Sequence, residues 1–402
     1  MKNQNKPWNA EYWSVSPFNF TTKISDSVPK AVKIMDTTLR DGISDPRRAI
    51  SLTPSKKVKI AKILDDLGIP QIEIGLTSED DLPVLKKITK ENLKAKTFAM
   101  TPTSSFTWDE WKAIDIALEA KLDGVTVNFP ASEFLVEKLL PGWSMDKMLE
   151  KAISMTSYAK ENGLCVDFFA YDTTRANPGY LKKLYKAAAE IKVDSITIVD
   201  TLGVGSPRGI SYLVELIKDW VDIPIGLHIH NDFNLASANN LAGIEKGAQT
   251  IHTTINGIGK MPTTEGLITM LHILYGIPFN IKYNDIYKSC KEIRKLGGWD
   301  ISPYEPIIGD LAFAYDSDHR LEENKSQKAP FLPEFIGHRY NIRLNDNTGP
   351  LGIKYRLQEL NKETTDDQVD RILTKVKEYW AKSGKISDKQ FEDIVKSVIS
   401  AT

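Results

Sequence analysis

The stretch Ile223-Pro-Ile-Gly-Leu-His-Ile-His-Asn-Asp232 reads as a β-branched strand ending in two alternating histidines. Successive side chains on a strand point to opposite faces, so His228 and His230 leave on the same side. Two imidazoles projecting together from a strand end can chelate a divalent metal. A second stretch, Val32-Lys-Ile-Met-Asp-Thr-Thr-Leu-Arg-Asp-Gly42, ends another strand with Asp41, whose carboxylate can supply an oxygen ligand. A mixed His, His, Asp set suits Mn, Mg, Zn, Co or Fe(II), and the donor types alone do not choose among them.

Outward from these two ends, short apolar runs alternate with helical stretches from about residue 31 to 285. The strand candidates are Val32-Ile34, Gln71-Ile74, Thr97-Met100, Gly124-Val127, Cys165-Phe169, Ser195-Val199, Ile225-Ile229 and Thr250-Thr254. Amphipathic segments lie between them: Ser55-Leu67, Trp108-Leu122, Met145-Asn162, Pro178-Ile191, Arg208-Val221 and Leu235-Lys246. Thr53, Asn177 and Ser206 each stand directly before a proline and read as helix starts. Eight βα units over roughly 250 residues is the size of a (β/α)8 TIM barrel. A doubly wound open sheet is the competing α/β architecture. The barrel is preferred because the candidate chemistry follows strands 1, 2, 6, 7 and 8, whose ends converge on one face only in a closed ring.

The barrel is expected over 31–285, between an aromatic N-terminal arm (1–30) and a smaller, mainly helical linker or lid region (286–402). The arm carries Trp8, Tyr12, Trp13, Phe18 and Phe20, too apolar a set to stay in water, and is expected to pack on the barrel or on a partner subunit. In the tail, a helix over 286–296 breaks at Gly297-Gly-Trp-Asp300, a charged loop follows over 310–333, and helices are expected over 366–379 and 388–398.

Lys and Arg total 52 against 53 Asp and Glu, for a net charge of −1, so no basic surplus points to nucleic acid. No apolar run approaches the ~18 residues that span a bilayer. The polar, aromatic N-terminus is not a signal peptide. The two cysteines, Cys165 and Cys290, lie in unrelated contexts and form no disulfide framework. The expectation is a soluble, cytoplasmic protein.

Together with Gln71-Ile-Glu-Ile-Gly75, Asp200-Thr-Leu-Gly203 and Thr254-Ile-Asn-Gly-Ile-Gly259, the two opening stretches resemble the metal-dependent isopropylmalate, homocitrate and citramalate synthases. These condense an acyl-CoA with a 2-oxo acid and are related to hydroxymethylglutaryl-CoA lyase among the DRE-type TIM-barrel metallolyases. Gly309-Asp-Leu-Ala-Phe-Ala314 and Phe335-Ile-Gly-His-Arg-Tyr-Asn-Ile342 resemble the synthases' linker region. The resemblance implies Asp41, His228 and His230 as ligands of a divalent metal (Mn, Mg, Zn or Co), with Asn256 as a fourth or water-bridged ligand. It implies that Arg40 stabilises an enolate oxygen, that Glu73 orients Arg40, and that Thr201 binds the 2-oxo acid's carboxylate. It also implies a homodimer. The sequence shows no long extension like the regulatory domain of isopropylmalate synthases, so feedback control through such a domain is not expected. Asn231 and Asp232 either support the metal histidines or cap the next helix, Arg175 reads as structural, and His252 carries no assignment.

The chain departs from the synthase pattern where acyl-CoA chemistry is done. Arg-Asp-Gly continues Ile43-Ser44-Asp45-Pro46 instead of Glu-Gln, and Phe-Ser-x-Glu-Asp becomes Phe168-Phe169-Ala170-Tyr171-Asp172. Gly-Glu-Arg-x-Gly-Asn becomes Gly259-Lys-Met-Pro-Thr-Thr264, which also lacks the lyases' cysteine. The tail motif His-Glu-Ser-Gly-Ile-His becomes Tyr315-Asp-Ser-Asp-His-Arg320. Tyr315 and His319 are therefore the candidates for the proton-transfer group. The function expected is a Claisen-type condensation of an acyl-CoA with a 2-oxo acid. The alternative is a metal-dependent lyase or aldolase that cleaves a 2-oxo or 2-hydroxy acid without acetyl-CoA.

Overall fold

Eight parallel strands close into a barrel: β1 (Lys33–Asp36), β2 (Gln71–Leu76), β3 (Lys96–Met100), β4 (Gly124–Pro130), β5 (Cys165–Tyr171), β6 (Ser195–Asp200), β7 (Ile225–Ile229) and β8 (Thr250–Thr253). Each pairs with the next, and β1 pairs with β8, Ile34 facing Ile251 and Met35 facing His252. The computed structural model describes residues 6–21, 28–45, 47–48, 50–107, 111–327 and 330–400. It divides into two compact units, Ser16–Asp300 and a smaller one made of Met1–Val15 with Ile301–Thr402.

In the barrel unit the expected strands and helix starts are all present. Thr53, Asn177 and Ser206 accept backbone N–H bonds at the starts of helices Pro54–Leu67, Pro178–Ile191 and Pro207–Lys218. Each of these helices has proline in its first turn, where no N–H is needed. Helix Pro54–Leu67 turns Ile60, Ala61, Leu64 and Leu67 inward at helical spacing. Helix Lys112–Glu119 is shorter than expected; 108–110, where its start was placed, lie outside the described residues.

Three α-helices of the barrel unit have no counterpart among the expected segments: Leu82–Thr89, Glu133–Leu139 and Thr264–Tyr275. Leu82–Thr89 is only 8 residues long. Thr264–Tyr275 is buried on most sides (Thr264, Glu265, Gly266, Leu267, Ile268, Thr269, Leu271 and Ile273), so no polar stripe marks its period. The barrel unit also holds helix Ile286–Gly297 and the buried Trp299.

The smaller unit contains helices Pro350–Glu359, Asp366–Ser383 and Asp388–Ile399, the last two opened by capping boxes, Thr365 with Gln368 and Ser387 with Gln390. The charged stretch expected as a loop carries regular structure. It holds the two-residue β9 (Ala314–Tyr315), paired with β10 (Asn341–Ile342), and helix Asp318–Gln327; residues 328–329 lie outside the described set. Part of the aromatic arm joins this unit: the Leu332 N–H donates to the Tyr12 carbonyl at 2.7 Å, and Trp13 meets Phe335 edge-on at 5.3 Å. Residues 1–5 and 22–27 of the arm lie outside the described residues. Among the described residues no helix is long and apolar enough to cross a membrane.

Candidate metal centre

The turn after β1 is built to present Arg40 and Asp41. The Thr38 N–H binds Asp36 Oδ1 at 2.9 Å, and the Asp41 N–H returns to the Thr37 carbonyl at 2.9 Å. The loop after β8 presses on this turn. Gly259 has φ +73°, and a Cβ there would stand 2.7 Å from the Asp41 carbonyl oxygen, so only glycine fits.

Opposite, His228 sits inside the barrel on β7 and His230 just beyond its end. Asp41 Oδ2 lies 3.3 Å from His228 Nε2 and 3.5 Å from His230 Nε2, and the two imidazole nitrogens are 3.3 Å apart. The centre of such a triangle is about 2 Å from each corner, the bond length of a first-row ion to imidazole nitrogen or carboxylate oxygen. Asp41 Oδ2 is buried with no hydrogen-bond partner, and the three residues form a group able to hold a metal ion. Burial pushes the Asp41 carboxyl up, but Arg40 and the two histidines outweigh it and hold it well below the usual range. Burial pushes His228 down to about 4 against the pull of Asp41. At neutral pH the carboxylate is ionised and His228 is neutral, the states that bind metal. The residues fit a divalent ion.

Arg40 is locked beside this triangle. Its Nε donates to Glu73 Oε2 at 2.6 Å and its Nη1 pairs with Asp41 Oδ1 at 2.9 Å, while Nη2 is buried without a partner. Burial opposes the guanidinium charge, but Glu73 and Asp41 raise its pKa above the ordinary value. Burial also pushes Glu73 up, with Arg40 opposing. Behind them Met100, Phe169 and Val199 form an apolar wall, joined by Leu76 and Tyr171. The Phe169 ring stands edge-on to His228 at 5.0 Å and 6.0 Å from the Arg40 guanidinium carbon.

The other expected site residues are placed as follows. Thr201 is buried after β6, where its Oγ1 accepts the Asp172 N–H at 3.0 Å; Arg175 braces the same Asp172 through two bonds of 2.7 and 2.9 Å. Both ends of the Asn256 carboxamide are hydrogen-bonded, Oδ1 by the Trp299 indole at 3.2 Å and Nδ2 by Glu265 at 3.1 Å. Asn231 Oδ1 caps the following helix at the Ala236 N–H, and Asp232 pairs with Lys260. Tyr315 and His319 lie in the smaller unit: Tyr315 is half-buried against Tyr340, and His319 is exposed in the first turn of helix Asp318–Gln327.

Sequence reading passed over two buried residues beneath the triangle, Asp167 on β5 and His252 on β8. His252 Nδ1 is 3.2 Å from His228 Nδ1, and Asp167 Oδ1 accepts from Ser195 and Thr197, each at 2.7 Å. The available signal was an acid and an imidazole on barrel strands at positions that alternate inward.

Residues 31–292 match the HMGL-like family. The chain is 35% identical over 393 residues to homocitrate synthase AksA of Methanothermobacter thermautotrophicus, covering 96% of this chain and 97% of the relative. It is 34% identical over 385 residues to 2-isopropylmalate synthase of Methanocaldococcus jannaschii, covering 93% and 73%. HMG-CoA lyase of Bacillus subtilis shares the fold, with a TM-score of 0.61 at 20% identity over 68% of this chain and 96% of that one. On the matched barrel and on these relatives, the chain belongs to the HMGL-like family.

Proposed function

We propose that this chain is a divalent-metal-dependent synthase that joins an acyl-CoA to a 2-oxo acid by a Claisen-type condensation. The observation that carries this reading is the triangle of Asp41, His228 and His230 beside a guanidinium with one unpartnered nitrogen. Family membership and the condensing relatives support it. A divalent ion held by those three residues supplies Lewis acidity toward the carbonyl of the 2-oxo acid.

The chain's own residues do the rest. Glu73 fixes the guanidinium plane of Arg40, and Nη2 is the donor left for an oxygen that gains negative charge. Thr201 uses a lone pair on the Asp172 N–H, which leaves its hydroxyl hydrogen to donate to the substrate carboxylate. The Met100, Phe169 and Val199 wall excludes water and faces the acceptor's side chain. His319 and Tyr315 are the candidates for removing the proton from the acyl-CoA methyl, and burial, by pushing the Tyr315 phenol above its ordinary value, makes it the poorer base at neutral pH. As in the family it resembles, the working form is a homodimer.

The test is thiol release from acetyl-CoA by metal-loaded protein across a panel of 2-oxo acids, with calorimetry for binding. Thiol release with at least one acid is expected. Binding of a 2-oxo acid with no response to any acyl-CoA overturns the synthase reading in favour of a lyase or aldolase.

A further inference from the structure

The donor triangle uses Nε2 of His228, so a metal-ready, neutral His228 carries its proton on Nδ1 and needs an acceptor there. The partner at that atom is His252 Nδ1, at 3.2 Å. To accept, His252 Nδ1 must be bare, which puts the His252 proton on Nε2. That Nε2 is fully buried with no hydrogen-bond partner, and it faces Asp167 Oδ2, equally buried and equally unpartnered, at 3.9 Å. A donor without an acceptor thus confronts an acceptor without a donor, and about 1 Å of closure makes a normal bond. Asp167 is itself anchored through its other oxygen by Ser195 and Thr197. Phe169 holds both rings, edge-on to His228 at 5.0 Å and stacked on His252 at 6.1 Å with 25° between planes.

We propose that Asp167 and His252 form a buried relay across β5, β8 and β7 that fixes the tautomer and orientation of His228, making His252 a positioning residue for metal affinity. The proposal rests on the metal reading of Asp41, His228 and His230. A partner behind a ligating histidine commonly contributes 10–100-fold to metal affinity. If His228 instead held its proton on Nε2, the nitrogen that faces Asp41 would be blocked. The relay therefore selects the binding-competent form before any ion arrives.

The experiment titrates metal-free protein with Mn2+ and with Co2+ by calorimetry, in the parent chain and in His252→Leu, His252→Gln, Asp167→Asn and His230→Ala. His252→Leu is expected to weaken binding about 10–100-fold, His252→Gln, whose amide oxygen can accept, to recover part of that loss, and His230→Ala to abolish binding. Long-range 1H–15N spectra of metal-free protein labelled at its 6 histidines read the tautomers directly, without any variant having to fold. The expected pattern is His228 protonated on Nδ1 and His252 on Nε2. His252→Leu binding as tightly as the parent while His230→Ala loses binding overturns the relay and leaves the metal site standing. The opposite tautomers also overturn the relay. A parent chain that binds neither ion overturns the relay and the metal reading together.

Discussion

Arg40 donates its Nε–H to Glu73 across 2.6 Å inside the barrel, and together with the Nη1–Asp41 pair at 2.9 Å this contact leaves Nη2 as the guanidinium nitrogen available for chemistry. A lysine cannot reproduce it, because an ammonium is a point charge without a planar fork. Arg40→Lys is expected to lower kcat by about 10²–10³-fold, and Glu73→Gln by about 10-fold or more through loss of orientation. Bound metal should stay near the parent level in both. Steady-state thiol-release kinetics alongside elemental analysis checks this; a Glu73→Gln enzyme with unchanged kcat removes the orienting role.

His230 is partly exposed at the mouth of the barrel, so its loss should affect the ion far more than the fold. His230→Ala is expected to retain under one-tenth of the parent's bound metal, with the melting temperature of the metal-free protein within ~2 °C of the parent, because surface substitutions stay near ±0.5 kcal/mol. Excess divalent ion should raise the melting temperature of the parent and not of the variant. Differential scanning fluorimetry with and without chelator measures both. Equal stabilisation of the two proteins by metal would place the ion elsewhere.

Phe169 stands where the resembling synthases carry serine, and it fills space between His228 and Arg40. Phe169→Ala is expected to cost about 3–5 kcal/mol of stability. In exchange, the ratio of kcat/KM for a branched 2-oxo acid to that for pyruvate should rise by about 10-fold, the scale of a methylene or two of pocket. Competition assays with both acids read the ratio directly, and an unchanged ratio means that the wall does not meet the acceptor.

Glu265 is fully buried beneath Asn256, and burial, opposed by its hydrogen bonds, pushes its carboxyl up to about 7. Between its unfolded value of 4.5 and about 7 the folded chain binds the extra proton, so the group's contribution is complete below the window and is lost as pH rises through it. In Glu265→Gln that loss is absent. The variant's melting temperature relative to the parent should therefore climb from pH 5 to pH 8 and level off, an effect of about 3 kcal/mol at most. His228 titrates with the opposite sign, gaining stability as pH rises from about 4, but it is common to both proteins and cancels in the difference. A flat difference curve contradicts the buried, proton-holding state of Glu265.

The ring itself was legible because each of its strands is a short apolar run and several helices announce themselves with a capping residue and a proline. Helix Thr264–Tyr275 was not, because a segment covered on most sides has no polar face to reveal its period. At the site, Asp41, His228 and His230 were legible through strand alternation and motif. The hold on the Asn256 carboxamide by Trp299, 43 positions away, and by Glu265 was not legible, because no local pattern encodes such a contact. His252 and Asp167 are individually ordinary polar residues, and only the curvature of the closed sheet turns their side chains toward each other.

The ring's one seam is where β1 meets β8, the point at which the two chain ends of the barrel close on each other. Asp41 leaves the β1 side of that seam, and the two histidines leave β7, one strand beyond the other side. An ion gripped by all three would therefore span the join like a clasp. Unzipping the barrel at its ends would first have to break coordination, so loading should slow proteolysis of the terminal βα units most and leave those opposite, around β4, least affected.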